Sequence, residues 1–172
     1  MKMKSMIAFA LLLRSCTACS KDVVLDYSEM RFHIPDGYSV IISTDLMNGM
    51  LAFKYDAEKG KKFLAFSDVT NDSSIDYGCS PGEFYVELFE PTGATKCNKR
   101  ALDAATKGLL NEGVAKTWKT SNIIIYYLKF KEGPESLAFV CKKDGRTVQV
   151  DSSFLTENDF RKMFEEILID KI

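Results

Sequence analysis

Ile123, Ile124, Ile125, Tyr126, Tyr127 and Leu128 follow one another without a polar interruption inside the segment Ser121 to Lys131. Successive side chains of a strand point to opposite faces, so such a run is buried throughout only if the strand is covered on both sides. This predicts a central strand, mid-sheet, in a layered fold. Downstream, Glu132-Gly133-Pro134 turns the chain into a strand over Ser136 to Lys142. Asp144-Gly145 then signals a tight hairpin into Thr147 to Asp151. A helix is expected from Thr156, because Phe160, Met163, Phe164, Ile167 and Leu168 recur at i, i+3, i+4, i+7 and i+8. Leu155 stands where a hydrophobic staple to Phe160 would form, so this helix is expected to lie on the sheet.

Upstream, Met30 to Ile34 alternates and ends at Pro35-Asp36-Gly37, a strand and a turn. Further strands are expected over Tyr38 to Ser43, Gly49 to Asp56, Lys62 to Asp68 and Glu83 to Phe89. A polar, turn-rich loop spans Val69 to Gly82. Asn98 can cap a helix running to Glu112, with Leu102, Ala105, Leu109 and Leu110 on one face, Gly108 weakening it and Gly113 stopping it. The sum is an α+β domain, an antiparallel sheet of about seven or eight strands with two helices, the C-terminal helix packed on the sheet. With 172 residues, 46% apolar and 27% charged, the chain fits one globular domain rather than a disordered one. That domain is placed at residues 28–172.

The first twenty residues read as an address. Lys2 and Lys4 precede the apolar run Met6 to Leu13, followed by Arg14-Ser15-Cys16-Thr17-Ala18-Cys19, the order of a signal peptide over residues 1–18. Eight apolar residues would make a helix of roughly 12 Å, too short for the roughly 30 Å hydrocarbon core of a bilayer. Residues 1–18 hold three bases and no acid, so their removal takes the net charge from −1 to −4. Neither value supplies a field for a phosphate backbone, so no nucleic-acid partner is expected. The run Cys16-Thr17-Ala18-Cys19-Ser20 resembles the lipobox of bacterial periplasmic lipoproteins. That resemblance implies cleavage before an acylated Cys19, a tether over 19–27 and, with Ser20 next, the outer membrane. Cys16, behind Leu13, is an alternative acylation site, and ordinary cleavage after Ala18 is a third reading.

Export would place the remaining cysteines in an oxidising compartment. Cys79 and Cys97 flank the Glu83 to Phe89 excursion and are the expected disulfide, while Cys141 falls in an apolar strand pattern. With a single histidine, His33, multi-histidine metal cages are excluded. His33 and Arg31 share the polar face of their strand and read as solvated surface rather than as a catalytic pair. The pairs Glu165/Glu166 and Glu87/Glu90 read as surface charge. Asp68, Asp72 and Asp76 lack the alternate spacing of a calcium loop. No catalytic residue, cofactor or metal is expected. Trp118, Tyr77, Tyr85, Tyr126 and Tyr127 are candidate contact aromatics, with Tyr126 and Tyr127 expected in the core. Tyr77 beside Asp68, Asp72 and Asp76 has the composition of an anchor for a basic protein partner.

The strand ending Ile34-Pro35-Asp36-Gly37-Tyr38, the later meander and the terminal amphipathic helix resemble the PsbP-like α/β/α sandwich. In size, export signal and acidic loops the chain is also similar to immunity lipoproteins that accompany type VI secretion effectors. These resemblances imply a non-enzymatic, membrane-tethered periplasmic binding protein that neutralises a toxin. A structural or assembly lipoprotein of an envelope complex is the alternative.

Overall fold

A computed structural model describes residues 23–44, 49–59, 61–94 and 96–169. The expected signal peptide and Cys19 lie outside the described residues. Val23–Tyr27 (β1) and Met30–Ile34 (β2) pair antiparallel, Tyr27 opposite Met30. Ser28 and Glu29 make the turn with φ of 48° and 55°. A two-residue hairpin demands this left-handed backbone, which Asn or Gly adopts at lower cost. The tether expected over 19–27 is thus corrected, because from Val23 the chain is already folded into the hairpin.

Seven strands build the main antiparallel sheet: Val40–Ser43 (β3), Leu51–Lys54 (β4), Phe63–Asp68 (β5), Gly113–Lys119 (β6), Ile123–Phe130 (β7), Ser136–Lys142 (β8) and Thr147–Ser152 (β9). Their order is β3-β4-β5-β9-β8-β7-β6. The α+β class and the sheet are as the sequence led one to expect, but β7 is not mid-sheet. It lies next to the edge strand β6 and is nonetheless covered on both faces, since helices lie on each side. The strand β6 was not expected. It starts at Gly113, where a Cβ would come 2.7 Å from the Leu128 side chain, so the residue expected to stop a helix instead allows close strand packing.

The segment Glu83 to Phe89, expected as a strand, is helical: α1 spans Pro81–Phe89. Ser80 accepts from the Glu83 N–H while the Glu83 carboxylate accepts from the Ser80 N–H, a capping box with Pro81 in the first turn. Phe84, Tyr85 and Leu88 are buried at helical rather than alternate spacing. Asn98 caps α2 (Lys99–Ala105), which passes into a π-helical turn over Thr106–Leu110 instead of one regular helix to Glu112. Near the C-terminus, Thr156 and Asp159 form a second capping box for α3 (Glu157–Met163), and Phe164 separates it from α4 (Glu165–Leu168). The expected apolar stripe is intact across that break, with Leu155, Phe160, Met163, Phe164 and Ile167 all buried.

Two cores result. On one face of the sheet, Phe53, Phe66, Val148, Val150, Ile125 and Tyr127 meet the hairpin residues Phe32 and Ile34 and the α3–α4 side chains. On the other, Tyr126, Leu128, Leu137 and Phe139 meet Phe84, Tyr85 and Leu88 of α1. Tyr126 and Tyr127 are core residues, as expected. Trp118 is buried as well, stacked on Tyr127 at 5.5 Å with the Arg161 guanidinium 4.8 Å from its ring, so it offers no exposed contact.

Candidate functional site

The acidic loop holds itself together. Asp68 accepts from the Ser28 hydroxyl at 2.6 Å and from the Thr70 N–H at 3.0 Å. Burial alone would raise its carboxyl, but these bonds bring it below the usual range. Asp72 accepts from the Ser74 N–H and hydroxyl and from the Tyr77 hydroxyl at 2.7 Å. Asp76 accepts from the Gly78 N–H and from the Asn98 side chain. The expected anchor Tyr77 is only 5% exposed and packs edge-on to Phe84. Burial and the bond to Asp72 push its hydroxyl up to about 12. This corrects its role: the ring is used inside the domain, and the aspartates are arranged as turn and cap acceptors.

His33 and Arg31 do share the outward face of β2. There Glu166 of α4 lies 3.1 Å from His33 Nε2 and 3.5 Å from Arg31 Nη1, while Asp26 lies 3.0 Å from Arg31 Nε. These partly exposed polar contacts link the hairpin to the C-terminal helix. The other acids are similarly occupied: Glu87 accepts from Thr92 and Gly93, and Glu90 pairs with Lys119.

Cys79 and Cys97 form the disulfide the sequence suggested, with Cα atoms 4.8 Å apart, and Cys141 is a free buried thiol. Burial pushes that thiol up to about 12, so it is inert as a nucleophile at neutral pH. Disulfide and thiol line one cleft of about 550 Å³ between α1, the Cys97 loop and the ends of β7 and β8. The sequence placed these cysteines in separate elements, so the cleft was not visible before the chain was folded.

The most exposed apolar element is β3. Val40, Ile41 and Ile42 are 49%, 53% and 40% exposed, and β3 ends the sheet. Thr44 N–H bonds Met50 O, so by antiparallel alternation Val40 and Ile42 face β4 while Ile41 and Ser43 direct their N–H and C=O to the open side. The opposite edge, β6, carries one exposed valine, Val114, with Lys116 and Lys119. Edge lysines are a common guard against strand addition. Both lysines are held in ion pairs, with Glu157 and Glu90. Among the described residues β3 has no such charge. The sequence led to a strand over Tyr38 to Ser43 but could not reveal that, among the described residues, it has one neighbour. Compared with known protein families, curated proteins and solved structures, the chain gives no match.

Proposed function

We propose that this chain is exported, cleaved and tethered to the periplasmic face of an envelope membrane through Cys19, and that its domain binds another protein without catalysis. The open edge β3 is the observation that carries the reading. An extended partner segment can add a strand there, bonding the Ile41 and Ser43 backbone while its own apolar side chains cover Val40, Ile41 and Ile42. The specific version is an immunity protein neutralising a periplasm-targeted toxin. An accessory role in an envelope complex, the alternative, would use the same edge more permanently.

The test compares the parent with Ile41→Lys, which places a guard charge on an exposed position. Capture from periplasmic extract should yield a defined partner with the parent and lose it with the variant. Equal capture by both would move binding off β3. Failure to protect cells from any periplasm-delivered hydrolase would remove the immunity version. Mass spectrometry of the membrane-purified protein should find an acylated Cys19 at the new N-terminus, and an intact Met1 in a cytosolic fraction would sink the envelope assignment.

A further inference from the structure

The cleft beneath the disulfide is independent of β3 and has its own chemistry. One wall is α1, whose Glu83, Val86 and Glu87 fall on a single face. A second is the Gly78–Ser80 segment with Cys97, and the third is Ile124 of β7, Cys141 and Lys142 of β8, and the Lys143–Gly145 turn. Gly82 closes one end, since a Cβ there would lie 2.9 Å from Thr147 Oγ1 and α1 could not approach the turn so closely. The volume of about 550 Å³ lies within the roughly 300–1,000 Å³ of small-molecule sites.

Its floor is apolar, formed by Val86, Ile124, Cys141 and the disulfide, while its rim carries charge. Both rim acids already hold bonds of their own: Glu83 accepts from Ser80, and Glu87 from Thr92 and Gly93. Lys142 pairs with Asp144 at 3.1 Å. Lys96 and Lys143 make no salt bridge among the described residues, though Lys96 lies within electrostatic reach of Glu83. An entering ligand therefore meets an apolar floor and a lining of three lysines against two glutamates, with the Lys96 and Lys143 ammonium groups in no salt bridge among the described residues.

We propose that this cleft binds a single-chain anionic amphiphile, a fatty carboxylate, its alkyl chain over Val86, Ile124 and Cys141 and its head at Lys96 and Lys143. Each methylene taken from water adds to the affinity, and the lysines select the sign of the head.

Dodecanoate, titrated below its micelle concentration into the folded domain, is the probe, read by calorimetry and by amide NMR shifts. Shifts should concentrate in Gly78–Glu87 and Cys141–Gly145. Val86→Trp, which fills the floor from an already partly exposed helix position, should weaken binding at least about tenfold, with circular dichroism confirming an unchanged fold. The double variant Lys96→Glu, Lys143→Glu provides a readout that leaves the floor intact. It should weaken dodecanoate by a similar factor and remove the preference over dodecyltrimethylammonium. Absence of cleft shifts, or dodecanoate binding unchanged by Val86→Trp, would overturn the site. Equal parent affinity for the cationic and anionic chains would overturn the head-group assignment.

Discussion

The two faces of the sheet are buried by different means. The face under α3, α4 and the β1–β2 hairpin is one continuous aromatic and aliphatic layer, in which Phe32, Phe66, Phe160 and Phe164 are fully buried. The face under α1 and α2 is held by a disulfide and carries half-buried polar side chains along β9. Along β9, Val148 and Val150 point into the first core, whereas Thr147, Gln149 and Asp151 lie on the second face, where Gln149 donates to Asp151 at 2.9 Å. The first face is stabilised by continuous packing together with a few buried serine hydrogen bonds, Ser136 Oγ donating to Leu155 O and Ser152 Oγ accepting from the Leu155 N–H. The second combines less continuous packing with a covalent link, and the cleft opens there, because a surface that is not filled leaves room for a ligand.

The comparison breaks most sharply at Phe164, which touches Phe32, Trp118 and Phe160. Phe164→Ala is expected to remove about 3–5 kcal/mol in urea denaturation, enough to unfold much of the population of a marginal domain. Replacing Cys79 and Cys97 together by serine should remove about 2–4 kcal/mol, since the bridge closes a loop of 18 residues. Hydrogen exchange should show that loss in α1 and α2 while protection in α3 persists. A uniform loss would mean that the two faces do not open separately.

Asp151 sharpens the contrast with the opposite sign. Burial raises its carboxyl, only partly offset by the bond from Gln149, so the folded domain favours the protonated form. The stability this group contributes is fully present below the pKa of the unfolded chain and is lost as pH rises through the higher folded value. Asp151→Asn should therefore raise the urea midpoint at neutral pH and leave it unchanged near about pH 3, where both forms are uncharged. The smallest effect belongs to the outer polar contacts of Glu166. Glu166→Gln is expected to leave the urea midpoint close to the parent's, because partly exposed pairs such as His33 with Glu166 gain little in water. A large loss there would make the hairpin's docking electrostatic rather than apolar.

What was legible beforehand follows a pattern. The C-terminal stripe from Phe160 to Ile167 and the hairpin through Asp144-Gly145 were readable because spacing and turn chemistry are local. So was the Cys79 to Cys97 pair. The start of α1 also carried its signal, Ser80-Pro81-Gly82-Glu83, but Phe84 to Phe89 is rich in aromatics that suit a strand equally well, and that bias concealed the capping box. The strand β1 was concealed by a Ser28-Glu29 turn without Asn or Gly. For the site the yield was smaller: Tyr77 and the aspartates drew notice by composition, yet Tyr77 bonds Asp72, while Asp68 and Asp76 accept from nearby turn groups.

By itself, then, the chain determined how many sides of each segment must be covered, because side-chain periodicity records contact with apolar surroundings. It did not determine which strands would be neighbours. Lateral pairing runs through backbone N–H and C=O groups that are the same in almost every residue, so only the assembled sheet decided that β7 sits beside an edge strand and that β3, among the described residues, has one neighbour. The cleft likewise belongs to the tertiary structure, which brought Cys97, α1 and the Lys143 turn to one place from distant parts of the chain.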